Sequence, residues 1–149
     1  MVKVNFAEIK DFEPLPVGRY HFAVTDVDSG ETGEDSKKPG SPYWTAECKV
    51  QDGPHQGRNQ NVWIGLPPNY EPYGMVNILR VSVGQHQWTE EQLKDGEFDV
   101  EMDDLLGLEF VGIVRKQRKS KEGYTEIGRM EPYDPDTWEP EDEDSSLLP

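Results

Sequence analysis

The sequence of 149 residues predicts an all-β domain with one helical insertion and a flexible C-terminal tail. Five short segments alternate between apolar and polar residues, which is the pattern of half-buried β-strands. Between the third and fourth segments, the apolar residues take the wider spacing of an amphipathic helix. The final residues, 131–149, hold eight acidic groups and no basic one. We therefore predict a single domain over residues 1–131 and a disordered acidic tail over 132–149.

The first three strands are predicted at residues 18–27, 43–51 and 58–66. A polar loop over 28–42 and a turn over 52–57 separate them, and both are rich in Gly and Pro. Because side chains alternate along a strand, one face of each is assigned to the core. The core positions are Tyr20, Phe22 and Val24 on the first strand, Trp44, Ala46, Cys48 and Val50 on the second, and Val62, Ile64 and Leu66 on the third.

The second half of the domain is predicted to contain the helix and two more strands. Apolar spacing widens over residues 70–83, which predicts a helix that Gly84 ends. Thr89 and Gln92 fit the capping box of a second helical turn. The last strands are predicted at 108–116 and 123–130. Five strands with a helix between the third and fourth is the layout of an OB-fold barrel, although a small SH3-like barrel or an open meander fits the same pattern.

Charge is distributed unevenly along the chain. The 30 acidic and 15 basic residues give a net charge of −15. Eight of the acids lie within residues 131–149, so the other 22 acids and the 15 bases leave residues 1–130 with a net charge of −7. Nine of those 22 acids lie within 89–109 beside the single Lys94, whereas 115–121 contains five cations. The overall charge therefore does not exclude a nucleic-acid partner.

Cations and planar rings occur where a nucleic-acid site on a small barrel needs them. Cations contact phosphates, and aromatic rings stack on unpaired bases. In an OB barrel, the loops after the first and fourth strands flank the binding face. The predicted phosphate contacts are Arg115, Lys116, Arg118, Lys119, Lys121, Lys49, Arg58, Lys37 and Lys38, and the predicted stacking residues are Trp63, Tyr43 and Tyr124.

These residues also have a purely structural interpretation. It places Trp63 in the core on a bulged strand, Tyr43 and Tyr124 at one end of a barrel, and the 115–121 cations at a solvated hairpin tip. Trp44 alternates with core residues, so we assign it to the core.

No constellation of catalytic or metal-binding residues is recognisable in the sequence. The histidines His21, His55 and His86 fall in different elements, and none stands at ligand spacing from a carboxylate or cysteine. Cys48 alternates with core positions, so we expect an inert buried thiol. The acids at 99–104 have the ligand type of a Mg²⁺ site, but a solvated acidic surface is favoured. We therefore expect no enzymatic activity, no metal and no cofactor.

Composition also predicts a compartment. The sequence has no run of about eighteen apolar residues, so no membrane-spanning helix is expected. The first sixteen residues lack the apolar core of a signal peptide. The single cysteine excludes an internal disulfide and fits a reducing environment. We expect a soluble cytoplasmic protein.

Four stretches of the sequence resemble a known family: PLPVGRYHFAVTDV, SPYWTAECKVQDGPHQGRN, DDLLGLEFVGIV and EGYTEIGRMEP. In this order, with a variable helical insert between them, they are similar to small phage-encoded single-stranded DNA-binding proteins that accompany recombination and replication genes. The strongest piece is the unit of strand, Asp-Gly, Gly-Arg and strand within residues 41–66. The resemblance implies an OB-fold, no catalysis, and binding of unpaired DNA with little sequence preference, in the cytoplasm of a bacterial host.

The tail has two expected roles. As a tethered polyanion, it competes with DNA for the cationic surface. As in many single-stranded DNA-binding proteins, the resemblance implies that its end recruits replication or recombination proteins, although the terminal Phe of the bacterial version is missing here. The tail residues assigned to partner binding are Glu139, Glu141, Asp142, Glu143, Asp144, Leu147 and Leu148.

Two other functions fit the same sequence. An acidic protein can imitate DNA phosphates and inhibit a host enzyme of nucleic-acid metabolism, in which case the 89–109 acids and the tail are the active surface. An assembly adaptor would use the barrel only as a scaffold. A homo-oligomer is compatible with each of these functions, and the sequence does not predict the oligomeric state.

Overall fold

The computed structural model describes residues 15–95, 99–117 and 124–140. The strands in this part of the chain are β1 (Gly18–Glu31), β2 (Pro42–Val50), β3 (Asn59–Gly65), β4 (Glu109–Lys116) and β5 (Thr125–Pro132). Between β3 and β4 lie helix α1 (Tyr73–Val81), helix α2 (Glu90–Asp95) and a 3₁₀ helix (Met102–Leu105). The prediction of an all-β fold with a helical insertion after the third strand is confirmed.

The five strands form one antiparallel sheet with the order β3-β2-β1-β4-β5. The central strand is β1, which pairs with β4 along its first half, beginning with Gly18 opposite Val114. The rest of β1 pairs with β2 and ends with Glu31 opposite Pro42. This second ladder makes β1 longer than the predicted strand 18–27. Its polar last residues gain backbone hydrogen bonds from β2 that no apolar pattern signals.

The sheet is not closed into a barrel within the described residues, so closure, which the sequence analysis predicted, is not seen. The two edges of the sheet are β3 and β5. They approach each other where the Gln60 side-chain amide donates a 3.1 Å hydrogen bond to the Thr125 carbonyl oxygen. A β-bulge between Val24 and Asp26 interrupts the register of β1, which is a common way to bend a strand.

The core lies between one face of the sheet and the helical insertion. Phe22 on β1 and Phe110 on β4 are fully buried, and their rings stack with centroids 5.7 Å apart. Gly112 gives them room, because a Cβ atom at that position would lie 2.6 Å from the Phe22 ring. The predicted core residues of β1, β2 and β3 are buried here or pack against it. Helix α1 contributes Met75, Ile78 and Leu79.

The first helix is shorter than predicted and has a local reason to end, and the second begins at the predicted cap. Helix α1 occupies only Tyr73–Val81 of the predicted span 70–83, and the Ser82 hydroxyl caps it by donating a 2.6 Å hydrogen bond to the Ile78 carbonyl oxygen. The capping box of α2 is confirmed, since the Thr89 hydroxyl accepts from the backbone N–H of Gln92 at 3.3 Å. No helix in the described ranges combines the length and apolar character that a membrane crossing requires.

The beginning of the predicted tail differs from the expectation of a detached segment. Strand β5 continues to Pro132, and the following residues fold back onto the sheet. Tyr133 stacks on His21 with ring centroids 3.6 Å apart, and Trp138 hydrogen-bonds to Asp52. Aromatic side chains thus hold 133–140 against β1, which the acidic composition concealed. Residues 141–149 lie outside the described part.

Candidate nucleic-acid interface

We call the side of the sheet that points away from Phe22 and Phe110 the outer face. Its members follow from the register, because residues opposite each other in a ladder share a face and alternate residues along a strand do too. The outer face consists of Arg19, His21, Ala23, Asp26, Asp28 and Gly30 on β1, Tyr43, Thr45, Glu47 and Lys49 on β2, Asn59, Asn61, Trp63 and Gly65 on β3, Glu109, Val111, Ile113 and Arg115 on β4, and Glu126, Arg129 and Glu131 on β5.

Three aromatic side chains, Tyr43, Trp63 and Tyr70, cluster at the β2–β3 end of the outer face, and we call them the aromatic platform. The Trp63 ring lies 5.8 Å from the Tyr43 ring and meets the Tyr70 ring edge-on at 5.1 Å. Two glycines make room for the cluster. A Cβ at Gly30 would lie 2.8 Å from the Tyr43 ring, and one at Gly65 would lie 2.5 Å from the Tyr70 Cβ.

Trp63 remains accessible within this cluster. Half of its surface, 50%, is exposed, so it is not the core residue of the structural interpretation. Its neighbours restrict its movement, and a fixed, half-open indole is available to an incoming planar group. The sequence assignment of Trp63 to the face opposite the core agrees with the structure.

The loop between β1 and β2 holds one edge of the aromatic platform. The Lys38 ammonium donates a 2.5 Å hydrogen bond to the Asn69 carbonyl oxygen and lies 4.8 Å from the centre of the Tyr70 ring. The Asn69 amide donates to the Ser41 hydroxyl at 2.7 Å, and that hydroxyl donates to the Lys38 carbonyl oxygen at 2.6 Å. Lys38 therefore positions Tyr70 in addition to carrying an exposed charge. Its neighbour Lys37 is exposed in the same loop.

A second cluster, Arg19, Arg115 and Arg129, lies at the β4–β5 end of the outer face, and we call it the arginine group. Arg19 and Arg129 are both in register with Ile113, so they flank it from the two neighbouring strands. Arg115 lies two residues further along β4 and passes over Gly128, where a Cβ would lie 2.4 Å from the Arg115 Cδ.

The ion pairs of the arginine group are exposed and exchangeable. Arg19 contacts Glu131 at 3.1 Å and Arg115 contacts Glu126 at 3.4 Å, while the two arginine side chains are 52% and 57% exposed. Surface pairs of this kind contribute at most about 1 kcal/mol, because water screens both charges. A phosphate can therefore replace either carboxylate at little cost.

Between the two clusters, the outer face carries charges of both signs. Lys49 lies opposite Ala23 in the register, closest to the centre of the sheet. Asp26 lies opposite Glu47, an arrangement of like charges that is unfavourable unless other groups offset it. The Thr25 hydroxyl partly offsets this repulsion by donating a 3.0 Å hydrogen bond to the Glu47 carboxylate. The aromatic platform is consequently bordered by acids as well as by lysines.

Residues 133–140 cross the outer face at the rows of Arg19 and His21, beside the arginine group, and we call them the strap. The Tyr133 ring stacks on the His21 imidazole at 3.6 Å with an interplanar angle of 23°. The Trp138 indole N–H donates a 2.9 Å hydrogen bond to the Asp52 carboxylate, and the Arg19 guanidinium lies 5.8 Å from the centre of the indole ring. The strap is thus attached by rings and not by its acidic residues.

His21 is the centre of this attachment. It is only 5% exposed, although it belongs to the outer face, because the strap covers it. Its Nε2 lies 2.9 Å from the Glu109 carboxylate and its Nδ1 lies 3.4 Å from that of Asp52. Sequence spacing gave His21 no carboxylate partner, whereas the fold supplies two. Desolvation, together with the Glu109 and Asp52 carboxylates, raises the pKa of the Tyr133 phenol.

The other predicted contact residues are more dispersed. Lys116 alternates with Arg115 along β4 and therefore points away from the outer face. Arg58 is half-buried immediately before β3, and Tyr124 is 49% exposed at the start of β5. Glu139 is exposed in the strap. The remaining predicted site residues lie outside the described part of the chain: Arg118, Lys119, Lys121, Glu141, Asp142, Glu143, Asp144, Leu147 and Leu148.

Sequence reasoning missed several residues of this surface, among them Arg19, Arg129, Tyr70 and Trp138. For Arg19, a usable signal existed, because it alternates with the core residue Tyr20 on the first strand. Arg129 alternates with Met130 in the same way. Tyr70 and Trp138 lie in irregular segments, so no periodicity marks them.

Two observations concern reactive groups in the part of the chain that the structure describes. Cys48 is fully buried, and desolvation, with a smaller effect of the Glu47 charge, raises the pKa of its thiol to about 12. Within the described ranges, no group of three or more His, Cys, Asp or Glu residues could hold a metal ion. No protein-family model matches the chain, and no curated protein sequence is significantly similar to it.

Proposed function

We propose that the protein binds single-stranded DNA along the outer face, with little sequence preference. The observation that carries this proposal is the half-exposed Trp63 ring, supported by Tyr43 and Tyr70 over two close glycines. An exposed indole contributes less to the free energy of folding than a buried one, because only apolar surface removed from water provides hydrophobic stabilisation. A fixed planar ring suits an unstacked base, and such stacking tolerates every base because each has a π-face.

The arginine group supports the same proposal. Its three cations lie on the face that carries Trp63, toward the opposite end of β1, and two of them are paired with partly exposed carboxylates. From the row of Arg19 to the row of Asp28, β1 spans roughly 30 Å at about 3.3 Å per residue. A strand of DNA following β1 could place phosphates on the arginines and bases on the aromatic platform. The number of nucleotides needed to span this distance falls within the site size of about 4–16 nucleotides known for OB-folds.

The architecture is consistent with an opened OB barrel, which we include in the proposal. A central β1 shared between two ladders and a helical insertion between β3 and β4 are features of that fold. The approach of the edge strands at Gln60 and Thr125 lies where closure would occur. The acidic end of the chain would then recruit proteins of replication or recombination.

The test is a titration of a labelled single-stranded oligonucleotide with the full-length protein at several salt concentrations. Duplex DNA and RNA of the same sequence serve as competitors. With about four phosphates neutralised, the logarithm of the binding constant should fall with the logarithm of salt at a slope of roughly −3. Failure to bind single-stranded DNA even at low salt refutes the proposal, and a salt-independent affinity refutes the role of the arginine group.

A second candidate is a decoy that imitates DNA phosphates, because Asp26, Asp28 and Glu47 form an acidic strip on the same face. Their carboxylates repel a polyanion and would attract the basic cleft of a nucleic-acid enzyme. The titration separates the two candidates, since a decoy leaves the oligonucleotide unbound. Binding of the protein to a nuclease or polymerase, competed by DNA, would then support the decoy function.

A further inference from the structure

The strap covers the part of the proposed DNA path that adjoins the arginine group. Its contacts fall on Arg19, which belongs to the arginine group, and on the adjacent row of His21, which lies between Arg19 and the aromatic platform along β1. A polynucleotide that reached both clusters along β1 would meet Tyr133 and Trp138 on the way. The strap and the DNA therefore cannot both occupy this part of the outer face in the geometry seen here.

The strap is attached through a few contacts at its rings. They are the Tyr133 stack on His21, the Trp138 hydrogen bond to Asp52, and the Arg19 guanidinium over the Trp138 ring. Its backbone hydrogen bonds to Asp134 are internal and hold the shape of its own turn. A cleft of about 330 Å³ also remains beside it, lined in part by Arg19, Val111 and Trp138. The strap is thus bound more loosely than a core element.

The surface beneath the strap has the chemistry of a base-binding position. We call Arg19, His21 and Asp52 the cradle. Carboxylates on both sides orient the His21 imidazole, whose face now holds the Tyr133 ring. Unpaired bases stack on histidine rings and on arginine guanidinium planes. The exocyclic amines of bases also donate hydrogen bonds to carboxylates, and the Trp138 indole N–H makes a hydrogen bond of this kind to Asp52.

We propose that the cradle is a further base-stacking position, which the strap occupies in the free protein and vacates when single-stranded DNA binds. In this arrangement, Tyr133 and Trp138 act as intramolecular substitutes for bases. The inference rests on the proposed function and adds a regulated position to it. Since only molecules with the strap released bind fully, the apparent affinity is lowered by the released fraction.

The experiment compares Tyr133→Ala and Trp138→Ala with the wild-type protein in the oligonucleotide titration. If the strap is released in about one molecule in ten, each variant should bind single-stranded DNA up to about tenfold more tightly. Tyr73→Ala is the matched control, because Tyr73 is 72% exposed on α1, which packs on the core side of the sheet. Its affinity should equal that of the wild type.

A second variant tests the cradle itself. His21→Gln in the Tyr133→Ala background removes the imidazole ring but keeps hydrogen-bonding atoms, and it should weaken binding about fivefold or more relative to Tyr133→Ala alone. Thermal unfolding of each variant confirms that it is folded. Unchanged affinity on adding His21→Gln overturns the base-stacking role of the cradle.

A crosslink closes the strap without altering the cradle. Pro54 and Pro140 line the same small cavity beside Trp138, so Pro54→Cys with Pro140→Cys can be joined by a reducible thiol crosslinker. Cys48 is buried and does not compete. The crosslinked protein should bind at least about tenfold more weakly than after reduction. Equal affinity in both states overturns the strap proposal while the proposed function stands; absence of DNA binding by the wild type as well overturns both.

Discussion

Replacing Trp63 by alanine gives the sharpest test of the outer face. The ring is half exposed, with neighbours at 5.8 Å and 5.1 Å, so its free surface is the part that a base would cover. Losing one base stack costs about 1–3 kcal/mol, which corresponds to a roughly 5- to 150-fold weaker Kd. Because the ring carries no charge, the salt slope should not change. Trp63→Phe keeps a smaller ring, so its affinity should lie between those of the wild type and Trp63→Ala.

The assay is fluorescence anisotropy of a labelled single-stranded oligonucleotide, repeated at four salt concentrations. The same substitution removes two ring contacts worth about 0.5–1.5 kcal/mol each, so urea unfolding must show that the variant is still folded under binding conditions. Tyr73→Ala, at a 72% exposed tyrosine outside the aromatic platform, controls for loss of a surface ring. A folded Trp63→Ala protein with wild-type affinity would refute the stacking role of the platform.

Three further predictions concern charge, burial and the tail. Arg129→Glu should weaken binding to all sequences alike and reduce the magnitude of the salt slope by about 1, and a preserved slope in the salt series would contradict it. Burial raises the pKa of the Cys48 thiol from 9.0 to about 12, so the stabilising contribution of the neutral thiol is complete below pH 9 and is lost as the pH rises toward 12. Cys48→Ala should therefore flatten the pH dependence of the unfolding free energy between pH 9 and 12, as measured by urea unfolding. Deleting residues 141–149 should tighten DNA binding, because it removes a tethered polyanion. Deleting residues 133–149 should tighten binding further, because it also removes the strap. Equal affinities of the full chain and both truncations in the titration would exclude self-competition.

Much of the fold was predictable because strand periodicity is local. Phe22 and Val24 are buried and His21 faces the other side, as alternation along one strand requires. Trp63 was assigned to the outer face by the same reasoning. The capping box at Thr89 was equally readable, since its two partners are three residues apart. The end of β1 was not predictable from its composition, because its polar residues are held by pairing with β2.

The sequence by itself determined the class of the fold, the side of each strand that enters the core, and the presence of rings and cations on the opposite side. Only the tertiary structure decided which of these become neighbours. The carboxylates that hold His21 are 31 and 88 residues away, and Arg19 and Arg129 flank Ile113 from the two strands on either side of β4. The tertiary structure also decided that the acidic segment 133–140 packs onto β1. The reason is physical: alternation is set by backbone geometry within a few residues, whereas proximity across a sheet depends on ladder register and chain reversals, which local composition does not encode.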